Sequence, residues 1–95
     1  MNYELEFKPK ALKEWKKLDD TIRNHFKKKL NKILKNPKIP ANKLSGYENI
    51  YKIKLKSSGY RLAYEVKDKE IVVLVLKIGK RDKFYTFLQQ SYGIK

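Results

Sequence analysis

Few folds are open to a chain that contains Tyr51–Tyr64, YKIKLKSSGYRLAY, because this stretch reads as a strand, a tight turn and a second strand. Tyr51, Ile53 and Leu55 alternate with Lys52, Lys54 and Lys56, the two-residue period of a strand buried on one face. Ser57-Ser58-Gly59 supplies the turn. With Ser58-Gly59 as a two-residue loop, Ser57 faces Tyr60, Leu55 faces Leu62 and Ile53 faces Tyr64, so both apolar sets lie on one side. The same register gathers cations on the other side, with Lys56 opposite Arg61, Lys54 opposite Ala63 and Lys52 opposite Glu65. Like charges facing each other across a strand pair are destabilising. A polyanion with a phosphate above Ala63 would account for them. A solvated lysine-rich strand face is the plain alternative in a chain this basic.

The charge balance says which partners to consider. Lys and Arg number 24 against 10 acidic residues, a net +14 at pH 7, which favours nucleic acid, the ribosome or an acidic protein. Only Arg23, Arg61 and Arg81 are arginines, so each marks a place where a planar, bidentate, always charged group is of use. With no cysteine and one histidine, neither a disulfide nor an ordinary zinc site is available, and no metal or cofactor is expected. The 95 residues, 41% of them hydrophobic, suit one domain with a single core, residues 1–95. No stretch approaches the length of a membrane span and the amino terminus has no apolar run of signal-peptide length, so a cytoplasmic location without membrane contact is expected.

In chain order, Tyr3, Leu5 and Phe7 alternate with Glu4 and Glu6 as a short opening strand. Pro9 suits the first turn of a helix whose stripe is Ala11, Leu12, Trp15 and Leu18. Asp20 can cap a second helix with Ile22, Phe26, Leu30, Ile33 and Leu34 inward, ended by Asn36-Pro37. Between Lys8 and Lys35 eleven basic residues stand against three acidic ones, a surplus of eight that suits docking on a phosphate backbone. His25 lies in this helix pair and reads as a surface or packing residue. Residues 37–48 form a loop pinned by Ile39 and Leu44. After the hairpin, Ile71–Ile78 is almost wholly aliphatic, a central strand covered on both faces. Gly79-Lys80-Arg81 breaks that run and puts Lys80 and Arg81 at its mouth. Asp82–Gln90 can be a helix with Phe84, Phe87 and Leu88 inward, before a ragged SYGIK end.

The segments ALKEWKKL (residues 11–18), KKKL (27–30), ANKLSG (41–46), YKIKLKSSGYRLAY (51–64) and IGKR (78–81) resemble, in order and spacing, the RelE toxins of the RelE/ParE superfamily. The resemblance covers essentially the whole chain. It implies an α+β fold, a two-helix hairpin packed on a mainly antiparallel four-stranded sheet in the order β-α-α-β-β-β-(α), which agrees with the elements read above. It also implies an endoribonuclease that enters the A site of the small ribosomal subunit, against rRNA, and cuts the mRNA there until a RelB-like antitoxin blocks it.

By position, the family's catalytic residues fall on Lys52, Lys54, Arg61 and Arg81. The resemblance implies Lys54 as the base, Arg81 as the acid, and Lys52 and Arg61 as stabilisers of charge. Metal-free RNA cleavage needs such a set: a base for the 2′-hydroxyl, positive charge on the phosphorane and an acid for the 5′-oxygen. An unperturbed lysine, with a pKa of about 10.4, is protonated at pH 7, so a lysine base needs cations beside it, and Lys52, Lys56 and Arg61 supply them. An arginine, with a pKa above about 12, is a poor acid and suits charge stabilisation better. Lys56, Lys80, Tyr85 and Phe87 are expected to bind substrate. Family members carry a tyrosine six residues beyond the Arg81 position, where it stacks on an mRNA base; this chain has Phe87 there and Tyr85 two residues earlier. Residues two apart on a helix point to different sides, so the two cannot both face the site, and either remains open.

Two other functions share these features. ParE-like toxins keep the fold but inhibit DNA gyrase, and they have no need of an ordered cationic pocket. A non-catalytic RNA-binding module would coat phosphates with its basic face, and loss of Lys54 would then weaken it no more than loss of any helix lysine.

Overall fold

The alternation at Tyr3, Leu5 and Phe7 becomes the first strand, β1 (Glu4–Phe7), in the computed structural model, which describes residues 2–92. Two helices follow, α1 (Pro9–Lys17) and α2 (Asp20–Ile33), then a short 3-10 turn at Pro40–Asn42. The chain continues through β2 (Ile50–Lys54), β3 (Tyr60–Lys67), β4 (Val72–Lys80) and α3 (Arg81–Tyr92). Of the expected ragged end, Ser91 and Tyr92 belong to α3, and Gly93, Ile94 and Lys95 lie outside the described residues.

Pro9 occupies the first turn of α1, where its missing N–H costs nothing. The cap of α2 is Asp19 rather than Asp20: Asp19 has an extended backbone and its carboxylate accepts from the Thr21 N–H at 3.2 Å. Phe26, Leu30 and Ile33 bury one face of α2, each worth about 1.5–3 kcal/mol of transfer from water. On α1, Ala11 is buried and Trp15 bridges Phe7 and Phe26, with ring centroids 5.2 and 6.5 Å away. Leu12 departs from the expected stripe and stays exposed.

The sheet order is β1-β4-β3-β2. β3 pairs antiparallel with β2 and β4, while β1 runs parallel to β4 with Leu5 beside Val73 and Phe7 beside Val75. The sheet is therefore mixed, with the long aliphatic strand inside it. A bulge opposite Ala63 and Tyr64 lets β4 send Val73, Val75 and Ile78 to the helix-pair face and Leu74 and Leu76 to the other. Both faces are thus covered, one by α1 and α2 and the second by Phe84 and Leu88 of α3.

Two local expectations give way. Gly79 and Lys80 do not break β4; they pair with Arg61 and Tyr60, and α3 starts at once with Arg81. The hairpin register differs by two residues from a Ser58-Gly59 turn: Lys54 faces Arg61, Ile53 faces Leu62, Lys52 faces Ala63 and Tyr51 faces Tyr64. Residues 56–59 form a four-residue loop, closed by the Gly59 N–H donating to the Leu55 carbonyl and the Leu55 N–H to the Tyr60 carbonyl, both at 2.9 Å. The cause is local. Two-residue hairpin turns want a positive φ or a glycine at their first position, where Ser58 stands, whereas the longer loop needs one left-handed residue at its end, and Gly59 has φ +76°. A two-residue shift leaves every side chain on its expected face.

Candidate active site

Period-two alternation sends Lys52 and Lys54 of β2, and Arg61 and Ala63 of β3, to the face that α3 covers. Ala63 is fully buried beneath Phe84 and Leu88, so it is not an open floor for a phosphate. The expected seat above it is taken by α3. The next pair on this face, two register positions along, is Lys54–Arg61, with Lys54 exposed and Arg61 beside Tyr85 of α3.

Arg61 is the buried charge of the described residues, with only 7% of its surface exposed. Its Nη1 donates to the Gly59 carbonyl at 3.1 Å, and its Nε has no hydrogen-bond partner among the described residues. No carboxylate of the described residues lies within ion-pair reach of it. A buried guanidinium left part-paired carries an energetic cost that an anionic ligand removes.

Tyr85 stands between two cations. Lys52 Nζ donates to its hydroxyl oxygen at 2.9 Å, and the Lys52 ammonium and Arg61 guanidinium lie 5.6 and 5.7 Å from its ring centroid. Burial works against ionising this phenol, but the Lys52 hydrogen bond and the charges of Lys52 and Arg61 outweigh it, and the hydroxyl is more acidic than an ordinary tyrosine. Phe84 fixes the ring edge-on, with centroids 5.1 Å apart. Of the two aromatic candidates on α3, Tyr85 therefore meets the cationic cluster. Phe87 points elsewhere, under the Lys77 ammonium at 5.2 Å and beside Tyr92 at 6.3 Å.

The remaining candidates surround this centre rather than enter it. Lys54 is exposed on the edge strand, and with Lys56 it lines a basic cleft whose other wall is His25, Lys28, Lys29 and Lys32 of α2. Lys80 lies over the Tyr60 ring at 5.5 Å, and Lys80 and Arg81 line a cleft of about 660 Å³ together with Glu14, Lys17 and Tyr60. That cleft opens on the α1 side of the sheet. The structure thus joins Lys52, Arg61 and Tyr85 directly, sets Lys54 across from Arg61, and holds Arg81 at the sheet end.

Glu14 is a residue that sequence reasoning passed over. Beyond Val75, β4 has lost its β1 partner, and Glu14 Oε1 accepts the Ile78 N–H at 3.1 Å while Oε2 pairs with Lys77. It thereby holds the end of β4 that presents Gly79, Lys80 and Arg81. A lone acid in the KKL-rich helix was its only signal.

The lysine and arginine charges at this site repel a divalent cation, and the described residues hold no cluster of three or more His, Asp or Glu. Among them, no helix is long and apolar enough to cross a membrane. What the arrangement can do is seat a phosphodiester, with buried positive charge at its centre and an acidic hydroxyl beside it.

Residues 5–85 match the family described as the ParE toxin of type II toxin-antitoxin system, parDE. The chain is 54% identical over 83 residues to the mRNA interferase toxin RelE of Escherichia coli (strain K12), covering 87% of each. Among solved structures it is similar to a chain of the intact E. coli RelBE toxin-antitoxin complex, with TM-score 0.82 and 54% identity over 84% of this chain and 98% of that one. It is also similar to the isolated E. coli RelE toxin in its P21 form, with TM-score 0.81 and 49% identity over 95% and 98%.

Proposed function

The chain belongs to the RelE toxins of the RelE/ParE superfamily, and on that footing we propose that it is a toxin of a type II toxin-antitoxin system, an mRNA interferase that stops translation by cutting mRNA. The observation that carries the chemistry is Arg61, buried and, among the described residues, without a carboxylate partner or a hydrogen-bond partner for its Nε, near Lys52 and facing Lys54. This is a seat for one phosphodiester whose charge grows in the transition state. In this reading the 2′-hydroxyl attacks the adjacent phosphate with Lys54 as its base. Arg61 and Lys52 stabilise the phosphorane, and Arg81 adds positive charge from the start of α3. Lys56 and Lys80 hold neighbouring phosphates, and of the two aromatic candidates Tyr85 meets the message beside the cations, while Phe87 lies away from them under Lys77.

Cleavage takes place in the A site of the small ribosomal subunit, in the cytoplasm. The surplus of eight positive charges between Lys8 and Lys35 meets the rRNA backbone there. A RelB-like antitoxin, the partner class in the similar RelBE complex, covers the basic sheet face or displaces α3.

The description of the matching family as ParE keeps a second reading, gyrase inhibition. The ordered cationic seat and the 54% identity to an mRNA interferase favour the first. The deciding experiment follows mRNA on a programmed ribosome with the wild-type chain and with Lys54→Ala, beside the same RNA free in solution. A cut inside the A-site codon, lost in the variant and absent on free RNA, supports the interferase. An intact message with the wild-type chain sinks it and directs the work to gyrase.

A further inference from the structure

We propose that Tyr85 is itself a catalytic residue, the general acid that protonates the departing 5′-oxygen of the message. This rests on the interferase reading above. The geometry comes first: the phenol lies against the same two cations, Lys52 of β2 and Arg61 of β3, that would hold the phosphate, and Arg61 faces Lys54. Its oxygen accepts from Lys52 Nζ at 2.9 Å, so its own O–H remains free to donate outward. After the proton leaves, the phenolate stays hydrogen-bonded to one ammonium and 5.7 Å, ring centroid to guanidinium carbon, from Arg61. The groups that face it from the packed strands are both cations, and no carboxylate of the described residues opposes ionisation. The increased acidity of the hydroxyl is in keeping with this role.

Arg81 is less suited to the task. A guanidinium with a pKa above about 12 gives up its proton poorly. Its side chain also lines the cleft of Glu14, Lys17 and Tyr60 rather than the Lys52–Arg61 cluster. In the proposed step the 2′-oxygen bonds to phosphorus as its proton passes to the Lys54 nitrogen. The P–O5′ bond breaks, its electron pair stays on O5′, and O5′ takes the Tyr85 proton. The products are a 2′,3′-cyclic phosphate and a 5′-hydroxyl; Lys54 then gives its proton up to water and the phenolate regains one from it.

The test uses two messages on programmed ribosomes, one natural and one with sulfur in place of the bridging 5′-oxygen at the scissile phosphate. A thiolate leaves without protonation, so loss of a general acid harms only the oxygen substrate. Tyr85→Phe is expected to cut the natural message about 10²-fold more slowly or worse, and the sulfur message within a few-fold of wild type. Arg81→Ala is expected to be slow on both. The alkaline limb of the wild-type pH–rate profile should disappear in Tyr85→Phe and move to higher pH in Lys52→Gln, where the phenolate has lost its nearest cation. Wild-type rates for Tyr85→Phe on the natural message, or equal slowing on both messages by a variant with native circular dichroism, would overturn the assignment. A wild-type chain that cuts neither message overturns the interferase reading and this inference with it.

Discussion

Lys54 and Arg61 occupy one register position, directly opposite each other on β2 and β3, with no carboxylate of the described residues to separate their charges. Like charges placed so cost stability, commonly a few tenths of a kcal/mol. The pair is therefore held against its own repulsion by the packing of Ile53, Leu55 and Leu62 on the far side of the strands.

Lys54→Ala is accordingly expected to separate stability from activity. Relief of the repulsion should raise Tm by about 1–3 °C for a domain of this size, while cleavage on the ribosome falls by about 10²-fold or more. Calorimetry and the cleavage assay read the two independently. A lower Tm would show that Lys54 contributes to folding and that the repulsion argument is wrong.

The hairpin loop predicts a contrast between two glycines. Gly59 has φ +76° and open space around the place of a Cβ, so Gly59→Ala should cost about 1 kcal/mol through backbone strain alone. Gly79 lies in β4, and a Cβ there would meet only Lys77 Cε at 3.8 Å. Gly79→Ala should be neutral or stabilise by up to about 1 kcal/mol. Urea midpoints of the two variants decide the matter, and equal losses would refute the assigned loop conformation.

Tyr64 is fully buried, stacked on Tyr51 with centroids 5.5 Å apart, and its hydroxyl donates to the Pro37 carbonyl at 2.9 Å. Burial pushes its pKa well up, so it stays a neutral donor at any working pH. Tyr64→Phe keeps the stack and leaves the carbonyl of the 37–48 loop without its donor, a cost of about 1–3 kcal/mol. Chemical denaturation should show this loss; a change below a few tenths of a kcal/mol would mean the carbonyl finds water instead.

Asp68 ties three separate segments together, pairing with Lys38 and accepting from the Tyr3 hydroxyl at 2.8 Å. The hydrogen bonds from Lys38 and then Tyr3 hold its carboxyl below the usual range. A carboxylate depressed in the folded state adds stability that is complete above its unfolded pKa of about 3.9 and is lost as the pH falls through the folded value. Denaturation curves taken from pH 7 downward should therefore steepen below about pH 4 in the wild type. Asp68→Asn should flatten that acid limb; identical limbs in both proteins would assign the acid sensitivity to other groups.

How far these features could be read in advance follows from the range of the forces involved. The strand faces around Tyr51, Ile53 and Leu55, the apolar stripe of α2 and the aliphatic run of β4 were legible, because each depends on a period built into the backbone of a single element. The register of β2 on β3 was not: a two-residue slip keeps every face, so hydrophobic pattern cannot separate a two-residue loop from the four-residue loop that Gly59 permits. The parallel pairing of β1 with β4 was hidden for a related reason, since it joins residues more than sixty positions apart.

At the site, the amino-acid sequence alone determined which side chains could serve: Lys52, Lys54 and Arg61 share one strand face in every register that keeps the apolar residues of the hairpin together. Whether Tyr85 or Phe87 would join them depended on the rotation of α3 about its axis. Burial of Phe84 and Leu88 over Ala63 and Leu76 sets that rotation, carrying Tyr85 to the two cations and Phe87 to Lys77. The chain spells out each element's own faces, and the angle at which one element meets another exists only once their cores have packed.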